Sequence, residues 1–382
     1  MPYTPPTVNY SATNSGTYTS LTGVLSVSIN RGRQRFQDPF PPSTCTVELI
    51  PATSYALPLA IGQFIDVRDT NSASSPCYFT GQITDVSRSY AIPYNSGTGY
   101  APADRITITA TGGVGKLGSA TLDDFSVGTT ADMSFISEYL PFSCGVRGYF
   151  DFCNIAVGGG PLSGAALPIY NQYLQTSQMF VDDVDDSRTY PETSIYTFLN
   201  KGDNSLGFSY SDTGATRYKS LQYQSSVQNT FNYVEVQPSG LASQVTSGTA
   251  PYNSLIYSTY NKTTSDAFSL SGYLYGLLSG QLTPVPFTIS TDTTIASSCM
   301  NVARIAVAYA APYFFTRIPA IGQVASVTFR GTSVNGQIQG ISSNFYPDHA
   351  SVQLYFSPTY GVPFTLNSSV SGVLDTNRLG YP

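Results

Sequence analysis

Charge is scarce in this sequence, and so are the residues that most often perform chemistry. Of 382 residues, 10% are Asp, Glu, Lys or Arg, against about 25% in an ordinary soluble domain. The 17 basic and 23 acidic side chains leave a net charge of -6, which excludes a chain-wide basic footprint for phosphate backbones. Tryptophan is absent and His349 is the single histidine. One imidazole without a second supports neither a zinc site nor a proton relay, and within Pro347-Asp348-His349 it reads as a turn residue.

Cysteine is equally uninformative as a ligand. Cys45, Cys77, Cys144, Cys153 and Cys299 form an odd set with no C-x-x-C pair, which suits neither a disulfide framework nor a zinc knuckle. Cys144 and Cys153 are near enough in sequence to meet across a loop, but buried free thiols kept in a reducing compartment are the reading taken. No apolar run is long enough to span a bilayer. The longest, Val302 to Phe315, contains Arg304 and Pro312 and falls short of the roughly 20 residues required. The start, Met1-Pro2-Tyr3-Thr4-Pro5-Pro6, has no basic n-region or apolar h-region, so no secretory signal is expected. Without one, Asn9-Tyr10-Ser11, Asn261-Lys262-Thr263 and Asn367-Ser368-Ser369 read as chance glycosylation matches in a Ser/Thr-rich chain.

What is present is apolar and aromatic. The chain is 41% hydrophobic, with 29 Tyr and 21 Phe, the reverse of a disordered composition. It is long enough for two or three domains of roughly 150 residues. Ser, Thr, Asn, Gln, Gly and Tyr must then supply most of the water-facing surface.

Residues 1–20 have no apolar period and read as an arm, flexible or bound to a partner. Beyond them Val24 to Ile29, Thr44 to Leu49, Phe64 to Arg68 and Arg105 to Thr109 alternate, each bounded by turn residues, which is the signature of strands in a small barrel or sandwich. Three helices are expected: Asp132 to Leu140, with Met133, Ile136 and Leu140 on one face; Glu192 to Leu199, behind Pro191; and Thr294 to Ala310. Asp212-Thr213-Gly214 predicts a hairpin between Gly207–Tyr210 and Thr216–Lys219. The Gly-rich stretch 144–178 reads as a long loop or insertion.

An internal repeat is the most informative feature. Ala60-Ile61-Gly62-Gln63 before one strand recurs as Ala320-Ile321-Gly322-Gln323 before another. Phe79-Thr80-Gly81-Gln82-Ile83-Thr84-Asp85-Val86 then matches Val334-Asn335-Gly336-Gln337-Ile338-Gln339-Gly340-Ile341, and closing strands follow at Ile106–Thr109 and Val352–Phe356. Three blocks in one order predict two copies of one β-barrel, with the glycine of each Gly-Gln pair in a turn conformation that a Cβ resists. The expected fold is mainly β: an arm over 1–20, a first barrel over 21–120, an α+β middle domain with its Gly-rich loop over 121–230, and a second barrel over 231–382 with an inserted helix near 294–310.

Several motifs fail on inspection. Gly113-Val114-Gly115-Lys116-Leu117-Gly118 is a literal G-x-G-x-x-G after a strand, but no amphipathic helix begins behind it to face a pyrophosphate. It fails as a phosphate loop because Ala110 and Leu117 stand where glycine and Ser/Thr belong. Gly207-Phe208-Ser209-Tyr210-Ser211 lacks the final glycine of a nucleophile elbow. Asp182-Asp183-Val184-Asp185-Asp186 lacks the glycine and glutamate of a calcium loop and reads as a solvated acidic segment. No catalytic, cofactor-binding or metal-ligating residue is assigned, and no cofactor is expected. Arg31, Arg33 and Arg35 alternate along one extended segment, which suits a hairpin or an intersubunit contact with carboxylates better than nucleic acid.

The order of these blocks resembles the hub proteins of bacteriophage tails, both baseplate hubs and tail-tip hubs. The resemblance is carried by Val27–Arg33, Pro42–Leu49, Ile61-Gly62-Gln63, Tyr78–Val86, Ile106–Ala110, Lys116-Leu117, Asp203–Tyr210, Asn232–Val236 and Gln337–Ser342, and extends over about residues 22–358. It implies a non-enzymatic virion protein assembled in the host cytoplasm. In the family, three subunits each give two barrels to a ring of six under a sixfold tube, with a threefold spike below. The implied partners are two further copies of itself, a hexameric tail tube or distal tail protein, a spike or fibre protein, and DNA passing without specific binding. Other readings are a tube or fibre-attachment protein, or a β-rich carbohydrate-binding module whose tyrosines stack on sugars.

Overall fold

The computed structural model describes residues 4–50, 59–70, 77–89, 105–127, 132–150, 157–158, 161–183, 188, 193–198, 208–213, 218–223, 231–278, 287–291 and 321–358. The first third is β-rich: β1 (Thr7–Ser11), β2 (Thr19–Ser20), β3 (Val24–Gly32), β4 (Thr44–Leu49), β5 (Phe64–Arg68), β6 (Cys77–Ser89) and β7 (Arg105–Thr111), then a short α1 (Gly113–Ser119). The period of two acts as expected: in β4, Cys45, Val47 and Leu49 are buried while Thr44 and Glu48 are exposed.

The middle holds β8 (Thr121–Phe125), α2 (Met133–Ser143), β9 (Arg147–Phe150), β10 (Leu162–Ala165), α3 (Ala166–Ser177), β11 (Phe180–Asp182) and β12 (Ser194–Phe198). The last third comprises β13 (Phe208–Ser211), β14 (Ser220–Tyr223), β15 (Tyr233–Pro238), β16 (Gln244–Ser247), β17 (Ser254–Thr259), α4 (Thr264–Leu278), β18 (Phe287–Thr291), β19 (Val324–Phe329), β20 (Thr332–Phe345) and β21 (Ala350–Pro358).

Two six-strand runs share one large sheet. The first is ordered β3-β4-β7-β6-β5-β1, and the second β14-β18-β21-β20-β19-β13. Their strands also follow the same chain order, with β15–β17 and α4 inserted between β14 and β18. The likeness reaches single hydrogen bonds. Gly62 N–H donates to Ile83 O at 2.8 Å and Ile83 N–H to Gln63 O at 2.8 Å; Gly322 N–H donates to Ile338 O at 2.7 Å and Ile338 N–H to Gln323 O at 2.9 Å. Both glycines have positive φ, +88° and +81°, the conformation that disfavours a Cβ. Phe64 pairs Gln82 as Val324 pairs Gln337. A register shift lies between Ile83 and Asp85 in one copy and between Ile338 and Gly340 in the other. One difference stands out: β1 runs antiparallel to β5, whereas β13 runs parallel to β19.

A main apolar cluster unites both runs with the middle segment through Val47, Ile108, Ile136, Tyr170, Phe180, Ile338 and Leu354. A second, smaller cluster lies between α4 and the β16-β15-β17 sheet, and includes Val234, Val236, Leu270 and Leu274.

Several expectations are revised. The stretch 1–20 contributes β1, zipped to β5 from Thr7↔Arg68 to Ser11↔Phe64; a sheet edge supplies backbone partners that need no apolar pattern. The 144–178 stretch contains β9, β10 and α3. Ala166, Tyr170, Tyr173 and Leu174 are buried at helical spacing, and Pro168 lies in the first turn, where its missing N–H costs nothing. Residues 194–198 form β12 rather than a helix, because Ile195 and Thr197 are β-branched and inward-facing and β9 and β11 flank the strand. Much of the expected hairpin around Asp212-Thr213-Gly214 lies outside the described residues; among those described, Tyr218 N–H donates to Ser211 O at 3.4 Å, while β13 pairs β19 and the following β14 pairs β18. Helix α2 forms as expected, capped by Asp132, which accepts from Phe135 N–H at 3.0 Å. The expected helix at 294–310 lies outside the described residues.

Candidate functional site

The structural centre of the chain is the seam where its two strand runs meet. β3 pairs β20 antiparallel from Gly32↔Gly340 to Val27↔Phe345, and Arg33 N–H donates to Gln339 O at 2.9 Å. Two glycines permit this approach. A Cβ on Gly32 would lie 2.3 Å from Gln339 O, and one on Gly340 would lie 2.4 Å from Arg33 O.

The alternating arginines flank this crossing, and their partners belong to the same chain. Arg31 Nη2 meets Asp182 Oδ2 at 2.6 Å, with side chains 5% and 4% exposed. Asp182 comes from β11, so this buried ion pair clamps the seam to the middle segment. Arg33 is enclosed: its guanidinium sits 4.2 Å from the Phe40 ring centroid, 4.8 Å from that of Phe36 and 5.5 Å from that of Phe180. Arg33 Nε donates to Gln339 Oε1 at 2.8 Å, and Gln339 Nε2 donates to Ser357 Oγ at 2.7 Å. Burial lowers the Arg33 pKa to about 10, which still leaves it charged at neutral pH. Arg35 pairs with Asp38 on the surface at 2.8 Å, a contact worth about 0–1 kcal/mol. The carboxylate partners expected for this triplet are therefore intramolecular for Arg31 and Arg35, and Arg33 takes an aromatic cage with an amide instead.

The G-x-G-x-x-G segment does open a helix, α1, but its amino terminus is already filled. Asp183 accepts from Val114 N–H at 3.3 Å and from Ser43 N–H at 3.2 Å, and its carboxylate also takes a short bond from the Ser43 hydroxyl. A Cβ on Gly112 would lie 2.2 Å from Asp183 Oδ2, so this glycine makes room for a carboxylate of the chain itself and not for a phosphate. Asp182 and Asp183 are thus buried structural acids, while residues 184–186 of the acidic run lie outside the described residues.

Burial pushes the Asp183 carboxyl above the ordinary carboxylate range, with neighbouring Asp182 adding to the effect and the Ser43 bonds opposing it. The folded chain then holds a proton there more tightly than the unfolded one. This contribution to stability is complete below an unfolded pKa of about 4 and is lost as pH rises through the higher folded value. Asp183→Asn keeps an acceptor without the charge. Relative to the natural chain it is expected to gain stability as pH rises above about 4, as read from urea midpoints at each pH; the opposite slope refutes the assignment.

The remaining candidates have local explanations. His349 is half-exposed, bonded to Asp348 at 2.7 Å and stacked on Tyr346 at 4.4 Å. Cys45 and Cys77 are buried thiols and Cys144 is partly buried; Cys153 and Cys299 lie outside the described residues. Asn9 is fully buried and donates to Asp66 at 2.9 Å, which removes it as a glycan acceptor. Ser209 sits in strand β13 and not on a strand-to-helix elbow. Among the described residues no cluster of three His, Cys, Asp or Glu side chains is arranged to hold a metal, and no helix is long and apolar enough to cross a membrane.

The seam itself escapes a reading of the sequence. Gly32 and Gly340 are the available signal, yet nothing local shows that two glycines 308 residues apart cross.

No family model and no curated protein matches the sequence. Comparison with solved structures does find relatives in shape. A 43 kDa tail protein of prophage MuSo2 from Shewanella oneidensis superposes with a TM-score of 0.58 at 13% identity, covering 92% of this chain and 98% of that one. The tail protein from Neisseria meningitidis MC58 gives a TM-score of 0.58 at 10% identity over 94% and 97%. Along nearly its whole length, the chain has the fold of these phage tail proteins.

Proposed function

We propose that this chain is a structural virion protein, the trimeric hub of a phage tail or baseplate, and that it matches a sixfold tail tube to a threefold tip or spike. The observation that carries the proposal is the duplication, which repeats turn glycines, registers and the bulge between two strand runs joined in one sheet. Three chains, each offering two near-equivalent units, present six such units to a tube while remaining threefold to whatever lies below. Low charge and abundant Tyr, Ser and Thr suit large polar interfaces with aromatic anchors. Within such a ring the net charge of -6 disfavours adhesion of DNA passing through. The role is one of assembly, needing no catalytic group and no cofactor.

Copy number tests the proposal. Quantitative mass spectrometry of purified particles is expected to return three copies per tail, with a cryo-EM map placing them at the tube's distal end. Six or more copies favour a tube or fibre-attachment protein, and density for this chain in the side fibres or capsid overturns the hub.

A further inference from the structure

Helix α2 is apolar on two of its faces. Met133, Ile136 and Leu140 are fully buried in the main apolar cluster. A second face carries Phe135, Tyr139 and Phe142, at the i, i+4 and i+7 spacing that gathers side chains into a row, here about 10 Å long. A helix that is apolar on every side is ordinarily covered on every side. Phe135 is half-buried, yet Tyr139 is 47% exposed and Phe142 73%.

The exposed rings form one contiguous patch, unlike the scattered single apolar residues that any surface carries. Phe135 stacks on Tyr139 with ring centroids 4.6 Å apart and planes at 26°, and Phe125 of β8 approaches Phe135 at 6.4 Å. The surroundings are acidic. Asp123 and Asp124 precede Phe125, and Glu138 lies four residues before Phe142 on the same side of the helix; all three are exposed. Among the described residues none of these carboxylates forms an ion pair. The last turn of α2 has no basic side chain, so the negative end of the helix dipole adds to the same field. Electron-rich ring faces, carboxylates without counter-ions and a helix carboxyl end all favour a cation.

We propose that this face docks a basic segment of a different protein of the assembled particle. Its arginine or lysine heads pair with Asp123, Asp124 and Glu138, while its apolar neighbours lie along Phe135, Tyr139 and Phe142. Arginine suits the patch best, because a guanidinium stacks on a ring while its fork meets a carboxylate. The row is about two helical turns long, which sets the length of segment needed to cover it. A sugar fits less well, since Phe135 and Tyr139 already spend one ring face each on one another. The dock rests on the tail reading for there being a particle, and not on the threefold or sixfold arrangement.

A benzophenone amino acid placed at position 142 of the full-length chain, irradiated in assembled particles, is the direct test. The expected product is an adduct with another particle protein, at a peptide that mass spectrometry shows to carry several Lys or Arg beside apolar residues. A synthetic peptide of that sequence is then titrated against the purified chain. Phe142→Ser and Glu138→Lys are each expected to weaken its binding about tenfold and to leave the melting temperature unchanged, since both side chains face water. Raising the salt from 50 to 500 mM should weaken binding to the natural chain and do so less for Glu138→Lys. An adduct with a second copy of this chain, within the chain, with a glycan or with a peptide lacking basic residues overturns the dock. So do particles that contain the chain and give no adduct, and a peptide indifferent to both variants. Particles from which the chain is missing reject the tail reading itself, and the dock with it.

Discussion

Replacing Asp66 with alanine is expected to destabilise the fold by about 3–5 kcal/mol, the range for removing one member of a buried ion pair. Asp66 and Arg68 are fully buried on β5, with Arg68 Nε 2.9 Å from Asp66 Oδ2. Arg188 adds a second guanidinium, with Nε at 2.7 Å from Oδ2 and Nη2 at 3.0 Å from Oδ1, and its own plane lies over the Tyr18 ring at 3.9 Å. Asn9 of β1 donates to the same carboxylate. One anion thus holds two cations and an amide from three stretches of chain, and its loss removes this acceptor from both guanidiniums where water compensates poorly. Urea denaturation measures the cost, and limited proteolysis should show β1 released first, since its zipper to β5 loses this anchor. A loss below about 1 kcal/mol would mean that the arginines relax to solvent. The second repeat has Ser326 and Thr328 at the equivalent positions, so this charge cluster belongs to the first repeat alone.

Gly340→Ala is expected to cost about 3 kcal/mol, the upper end of ordinary overpacking, because the added carbon would meet the backbone of the segment facing it across the seam. Its Cβ would lie 2.4 Å from Arg33 O and 3.1 Å from Arg31 O, and carbonyl oxygens, unlike the ends of flexible side chains, do not swing aside. Gly32→Ala adds a conformational penalty to a similar clash, since Gly32 has φ +71°. By contrast, Gly62→Ala meets nothing within 4 Å and is disfavoured by its φ of +88° alone, so it should cost less than either seam variant. Equilibrium unfolding of the three side by side checks the ranking; equal losses would show that steric contact at the seam is not the controlling term.

Legibility follows the range of the contacts. The repeat was readable because each copy is built from neighbours in sequence: turn, strand and bulge lie within about two dozen residues, and their glycines and alternating side chains mark them directly. Helix α2 was readable for the same reason, through Asp132 and the Met133, Ile136, Leu140 spacing. Helix α3 was not, because its buried face relies on Tyr170, Tyr173 and even Asn171, residues that a polarity pattern does not count as core. Residues 194–198 misled in the opposite direction. Pro191 suggested a helix start, yet strands on both sides made the extended form the better one for Ile195 and Thr197. The arginine triplet was visible, but its partners were not, since Asp182 and Gln339 lie 151 and 306 residues away.

The sequence by itself determined that one β-unit is written twice and which short strands compose it, because periodicity and turn chemistry act over a few residues. Only the tertiary structure decided that β3 and β20 join the two units, and that a carboxylate of the chain fills the start of α1. The physical reason is that a strand edge exposes the same N–H and C=O groups whatever its side chains. Which edge meets which is therefore settled by packing across the whole molecule.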